Sequence, residues 1–161
     1  MRLERLLDTE DERAARRLIE QAGTIVTGLY GEMPESFAAQ LFARAAPEDL
    51  TRYEARELAA LAEEAWAFLK ERKTGTAKVR FESRPGPIGA EHIKTVSIIE
   101  IINDDMPFLL DSIMNELTEL GVEVRLVVHP IFTVERDHAG ALIGFRGGFR
   151  TALWRCRSCV P

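Results

Sequence analysis

The spacing of apolar residues changes near residue 76, and that change limits the fold more than any other feature of the chain. Before it, apolar residues recur every three to four positions, the period of a helix buried on one face. After it they recur at every second position, the period of a strand. Helices first and strands second describe an α+β protein rather than an alternating α/β one.

The helical half carries its own punctuation. Thr9 and Glu12 form a capping-box pattern, in which the hydroxyl accepts from an unpaired amide and the carboxylate reaches back to the cap amide. Glu10, Asp11 and Glu12 also suit the positive end of a helix dipole. Leu18, Ile19, Ala22, Ile25, Val26 and Leu29 follow at helical spacing. Gly31 is the expected stop, with Gly23 and Gly28 weakening the last turns. Pro34 suits a first helical turn, and Phe37, Ala38, Leu41 and Phe42 make one stripe, broken at Ala46-Pro47. Thr51 and Glu54 give a second capping-box pattern. Beyond it Leu58, Leu61, Ala62, Ala65, Phe68 and Leu69 form an apolar face continued to Gly75. Stripes of this kind are core and helix–helix contacts far more often than cofactor sites.

In the second half Val79 and Phe81 alternate with Lys78, Arg80 and Glu82, which predicts a half-buried strand closed by Pro85-Gly86-Pro87, with Gly89 extending the loop. Residues 95–103 are rich in Val and Ile and predict a well-buried strand. After the Asn103–Met106 turn, Pro107 can open a helix lined by Phe108, Leu109, Ile113, Leu117 and Leu120, with Gly121 as a left-handed cap. Val122, Val124, Leu126 and Val128 predict another strand, interrupted at His129-Pro130 and resumed over 131–136. Asp137-His138-Ala139-Gly140 is a hairpin turn into a return strand starting with Leu142, Ile143 and Phe145. From residue 95 the order is strand, helix, strand, strand. This is a split βαβ, the ferredoxin-like plan, without its second helix and last strand.

The expected organisation is therefore a helical N-terminal segment over 1–75, packed with an incomplete antiparallel sheet over 76–146, and a divergent tail over 147–161. Arg146, Arg150, Arg155 and Arg157 lie at or in this tail, and from Ala139 onward there is no Asp or Glu. With Phe149 and Trp154 they make a crude nucleic-acid-like segment, for which a disordered or misread terminus is the better explanation.

Composition excludes several functions. The formal charge is -5, which disfavours a generally basic nucleic-acid binder. No apolar run reaches the length of a membrane span, and charge from Arg2 onward leaves no signal-peptide core. Cys156 and Cys159 give no disulfide framework, so a cytoplasmic location is expected. At 161 residues the chain is short for a two-domain dehydrogenase, a kinase or an α/β barrel. No Gly-x-Gly-x-x-Gly lies between a strand and a helix, so no dinucleotide site is found.

The strand-to-helix turn from Asn103 to Ser112 is the most informative place for chemistry. Amides at a helix start can bind a carboxylate, and Asp104 and Asp105 could bind an ammonium, so the turn would suit a zwitterionic amino acid. The plainer reading, favoured by pattern alone, is that Asp104 or Asp105 caps the helix.

Asp105-Met106-Pro107-Phe108-Leu109-Leu110-Asp111-Ser112-Ile113 resembles the turn-and-helix signature of ACT domains, where Asp-x-Pro-Gly-Leu-Leu is common. The fuller string is more specific. Asn103 to Ser112, then Val128-His129-Pro130-Ile131, then Arg136-Asp137 and Gly140, resembles the N-terminal ACT-like region of the large bacterial NAD-specific glutamate dehydrogenases. The likeness covers roughly residues 5–145 in outline. It implies a parent enzyme that deaminates L-glutamate to 2-oxoglutarate and ammonia with NAD, whose catalytic domains lie far downstream. This chain would then hold no catalytic residue, no cofactor and no metal. It would be a regulatory or assembly region, joined to a homo-oligomer or to the rest of the dehydrogenase. From the chemistry of the turn, the expected effector-binding residues are Asn103, Asp104, Asp105, Met106, Pro107, Phe108 and Leu109. Phe108 stands where many small-molecule-binding ACT turns carry glycine, and its ring is expected to fill effector space.

Other candidates are weaker. Cys156-Arg157-Ser158-Cys159 could be half a zinc site or a redox pair, but no second Cys pair exists. His129 could ligate a metal with Asp104 or Asp111, although a structural histidine is the commoner case. His92 and His138 fall in expected loops, and a Ser112–His129 nucleophile pair lacks a supporting elbow. Besides the regulatory reading, the alternatives are a structural oligomerisation module without ligand, a stand-alone amino-acid sensor, and a metal or redox protein.

Overall fold

The computed structural model describes residues 9–29, 33–85 and 95–148. The expected stop at Gly31, the Gly86–Gly89 loop, His92 and the cysteine pair lie outside them. The elements are α1 (Glu10–Leu29), α2 (Phe37–Leu41), α3 (Pro47–Leu50), α4 (Ala55–Leu69), β1 (Lys78–Pro85), β2 (Thr95–Ile102), α5 (Leu109–Glu119), β3 (Phe132–Arg136) and β4 (Leu142–Gly148). The architecture is α+β, with β1 antiparallel to β2 and β3 antiparallel to β4 in two separate two-stranded sheets.

The helices form where their spacing and caps place them. At the start of α1 the Thr9 amide donates to Glu12 Oε2 at 2.6 Å, and the Glu12 amide donates to Thr9 Oγ1 at 3.2 Å. Ala15, Ala22 and Val26 are buried, with Leu18, Ile19 and Ile25 packed beside them. Phe37, Ala38 and Leu41 bury the face of α2, and Leu50 anchors the one-turn α3 that Pro47 opens. The cap of α4 lies three residues later than Thr51 and Glu54 suggest. Glu54 is its N-cap residue, and the Glu54 amide donates to Glu57 Oε2 at 2.8 Å. The Thr51 hydroxyl instead donates to the Glu48 carbonyl at 3.1 Å, closing α3. Helix α4 ends at Leu69 rather than running on to Gly75.

The core lies in this helical half and reaches into the β3–β4 hairpin. Phe37 packs against Trp66, Phe132 and Phe145 with ring centroids 5.0, 5.3 and 5.6 Å apart. Edge-to-face and tilted ring contacts of this kind add to the area they bury. They fasten the hairpin to α2 and α4.

The hairpin also closes the C-terminal end of α4, where a helix leaves unpaired carbonyls. Arg136 Nη2 donates to the Leu69 carbonyl at 2.8 Å, and the Leu142 amide to the Lys70 carbonyl at 2.7 Å. Lys78 Nζ donates to the carbonyls of Phe68 and Glu71, each at 2.7 Å. Three cationic or amide donors thus meet the negative end of the helix dipole.

Sheet β1–β2 reverses the orientation its sequence suggests. Lys78, Arg80, Glu82 and Arg84 face inward, and Val79 and Phe81 face outward with 62% and 63% of their surface exposed. The inward side chains find partners. Arg84 forks onto Glu64 of α4 at 3.1 and 2.6 Å, Arg80 pairs with Glu100 across the ladder, and both Lys78 and Arg80 lie over the Phe68 ring. Long cationic side chains bury their stems against an aromatic while their charged ends find a carboxylate, as Arg80 does, or backbone carbonyls, as Lys78 does. Strand β2, expected to be well buried, is buried only in part. Its outward Ile99 and Ile101 are exposed, because the outer face of the ribbon carries no layer among the described residues.

Two further expectations are corrected. Residues 123–131 form no strand, although Leu126 and Val128 pack on the core. Alternation alone supplies faces, while a strand also requires a neighbour to share its ladder. Helix α5 starts at Leu109 rather than Pro107, and it buries no residue completely. Phe108 and Leu120, expected to line it, are exposed. Its C-terminal end matches expectation. Gly121 has φ 68, its amide donates to the Thr118 carbonyl at 3.0 Å, and the Val122 amide donates to the Leu117 carbonyl at 2.9 Å. These two bonds make a Schellman cap.

Candidate functional site

The Asn103–Leu109 turn connects β2 to α5 on the surface. Asn103 Nδ2 lies 3.5 Å from Met106 Sδ, a weak local contact. Asp104, Asp105, Met106 and Pro107 are exposed, and Leu109 is half-buried. Neither aspartate caps α5. The cap position belongs to Phe108, which makes no side-chain cap bond and has φ 61. That left-handed backbone is cheap for glycine and costs other residues about 1–2 kcal/mol. The ring of Phe108 does not fill a pocket, since 76% of the residue is exposed.

Asp104 ties this turn to a distant part of the chain. Its Oδ1 lies 2.9 Å from Arg72 Nη2, just beyond the end of α4. The Arg72 side chain is only 8% exposed, whereas that of Asp104 is 62% exposed. The pair is an ionic contact rather than a well-aligned hydrogen bond, because Arg72 Nη2 has no hydrogen-bond partner. Arg72 is held in place by Nε, which donates to the Thr76 carbonyl at 2.8 Å, and by its amide, which donates to the Gly140 carbonyl at 2.9 Å. Beside it lies an open depression of about 530 Å³, lined by Arg72, Lys73, Lys78 and Glu71, with Ala139 and Ala141 on the hairpin side. Burial pushes the Lys78 ammonium down from its ordinary value. Burial, and then the positive charge of Arg72, push Arg136 down as well.

The second feature is the outer face of the β1–β2 ribbon. Its outward positions are Val79, Phe81, Ser83 and Pro85 on one strand and Thr95, Ser97, Ile99 and Ile101 on the other, all uncharged. Val79 opposes Ile101 and Phe81 opposes Ile99 across the ladder, giving a continuous apolar block at one end.

A family model described as glutamate dehydrogenase, ACT1 domain, matches residues 37–153. The chain belongs to this family. Over 105 residues it is 30% identical to the NAD-specific glutamate dehydrogenase of Halomonas elongata, a match covering 64% of this chain. The chain spans 6% of that relative's length. No solved structure matches it.

The ACT1 match begins in α2, so the family unit takes in α2, α3 and α4 as well as the strands. Of the suggested site residues, Asp104 is joined by an ion pair to another part of the fold. Asp111 and Ser112 are exposed in the first turn of α5, His129 is half-buried and His138 is exposed. Among the described residues no group of three His, Cys, Asp or Glu side chains could hold a metal ion. None of the described helices is long and apolar enough to cross a membrane. Sequence reasoning missed Arg72, Arg136 and Lys78 as a group. Their only signal was basic residues flanking the end of an apolar helix, which is a dipole pattern.

Proposed function

We propose that this ACT1 domain is an N-terminal assembly and regulatory region of an NAD-specific glutamate dehydrogenase. The parent enzyme would deaminate L-glutamate to 2-oxoglutarate and ammonia with NAD bound in its own catalytic domains. This segment would supply no catalytic residue. The single observation that carries the reading is the reversed ribbon. A strand pair that turns its charged side chains inward, one of them onto Glu64 of α4, and its Val, Phe and Ile side chains outward is built to be covered. An uncharged face suits a protein neighbour in an acidic chain, where charged faces of two copies would repel.

The test is sedimentation of the chain across about 1–100 μM, with Phe81→Glu as the comparison. Concentration-dependent association, abolished in Phe81→Glu at an unchanged melting midpoint, supports the reading. A wild-type chain that stays monomeric throughout counts against this face as an assembly surface.

The finer part of the proposal concerns the effector. An amino acid held at Asn103–Leu109 would bias assembly by binding one state better than another. Exposed Asp105, and exposed Asp111 and Ser112 in the first turn of α5, support this part. Melting with a panel of amino acids tests it, since ligand on the folded chain raises the midpoint. An Asp105→Ala variant shifted by every amino acid as the wild type is would remove that carboxylate from the site.

A further inference from the structure

We propose that the depression between the end of α4 and the β3–β4 hairpin is a binding site for a small carboxylate, with Asp104 as the resident carboxylate that a ligand must displace from Arg72. This inference stands on local charge and does not depend on the assembly reading.

The lining of the depression is mostly cationic, with Arg72, Lys73 and Lys78 against Glu71, and Arg136 reaches the same helix end. Asp104 lies on Arg72, Asp137 is engaged by the amides of Ala139 and Ala141, and Glu100 is paired with Arg80. The dipole at the end of α4 offsets only about half a charge more. Lys78 and Arg136 direct their hydrogen bonds at neutral carbonyls. Arg136 Nε is buried with no hydrogen-bond partner, as is Arg72 Nη2. An excess of cations gathers here in a chain whose formal charge is -5. Burial first, and for Arg136 then the charge of Arg72, hold the proton affinity of Lys78 and Arg136 down.

The geometry also gives a route of exchange. The guanidinium of Arg72 is buried beneath an exposed carboxylate. The pair is open to water on its acidic side, so Asp104 can swing away and a second carboxylate can take its place on Arg72. Tethering gives Asp104 an effective concentration on the order of millimolar, which a free ligand must match unless it gains contacts of its own. Lys73 and Lys78 along the depression provide such contacts for a second carboxylate group. A dicarboxylate is therefore the fitting class. Its binding would detach the β2–α5 turn from the end of α4, because the Arg72–Asp104 pair is what ties the two together.

The test uses the whole chain and succinate as probe, with sodium chloride at matched ionic strength. Thermal midpoints are measured for the wild type, Asp104→Asn, Arg72→Gln and Lys73→Gln. Without succinate, Asp104→Asn should melt below the wild type. With succinate its midpoint should rise more than that of the wild type, with an apparent dissociation constant several-fold lower because the competitor is gone. Lys73→Gln, at an exposed position, should bind two- to threefold more weakly, and Arg72→Gln should not respond. Equal shifts from sodium chloride would overturn the proposal, as would an Asp104→Asn response no larger than that of the wild type. If Arg72→Gln does not fold, the opposite signs expected for Asp104→Asn and Lys73→Gln still decide the matter.

Discussion

Gly140 lies so close to Arg72 that a Cβ on the glycine would sit 2.4 Å from the Arg72 carbonyl oxygen. The same glycine has φ 93, and its own carbonyl accepts from the Arg72 amide at 2.9 Å. The hairpin turn around it is tied by Asp137, whose Oδ1 accepts from the amides of Ala139 and Ala141 at 2.9 and 2.8 Å. Turn and helix end are therefore one joint, and any side chain at position 140 would separate them. Gly140→Ala should cost about 2 kcal/mol or more, combining left-handed strain with a backbone clash. For a domain of this size that lowers the melting midpoint by about 4–8 °C. Gly75 is the control, since it has φ 75 but nothing within 4 Å of the place a Cβ would occupy. Gly75→Ala should cost only the strain, about 1 kcal/mol. Equal losses at the two positions would mean that the joint is not tight.

The reversed ribbon makes a second prediction about which aromatic residues matter. Phe37 is almost completely buried against Trp66, Phe132 and Phe145, whereas Phe81 faces outward. Phe37→Ala should destabilise the chain by about 3–5 kcal/mol. Phe81→Ser should change it by about 0.5 kcal/mol or less when measured in dilute solution. A large loss from Phe81→Ser would place that ring in the core and reverse the assignment of faces. Urea unfolding followed by circular dichroism distinguishes the two outcomes.

Much of the helical half was legible because its signals are local. The period of Leu18, Ile19, Ala22, Ile25 and Val26, the Thr9–Glu12 reciprocal bonds and the Gly121 cap each act over a few residues. The strands were less legible because their decisive partners are remote. A period of two divides β1 into two faces but does not choose between them. Here Phe68 and Glu64, on a helix, draw the Lys and Arg side chains inward. Residues 122–128 have the alternation of a strand and no strand in the structure, since a ladder needs a neighbour. The Arg72–Asp104 pair joins an unpatterned linker to a turn across two strands, and no short-range rule could have found it. The turn itself was marked by its residues, but Pro107, whose type suits a helix start, precedes the true cap.

Phe108 offers a direct test of that cap. The residue carries left-handed strain, and most of its ring is in solvent. Phe108→Gly should therefore lose little packing and relieve the strain, giving a gain of about 0.5–1 kcal/mol. Phe108→Ala keeps the strain and should gain nothing. If the glycine variant is instead less stable than the alanine variant, the φ of this residue differs from 61 in solution.

Tyr53 sets the last prediction, a pH dependence. Burial first, and then the neighbouring Glu57 carboxylate, hold its phenol above the ordinary value near 10. Above pH 10 the unfolded chain gives up this proton before the folded chain does. The stability contributed by Tyr53 is thus fully present below about pH 10 and is lost as pH rises through the folded value. Lys78 acts in the opposite sense. Its ammonium is pushed down by burial, so stability rises with pH in the window just below 10.5. A Tyr53→Phe variant keeps Lys78 and removes only the phenol. The difference in melting midpoint between wild type and Tyr53→Phe should stay constant up to about pH 9. It should then move against the wild type as pH passes about 10, because the wild type declines more steeply. Parallel curves from about pH 9 to 11 would show that the phenol titrates alike in both states.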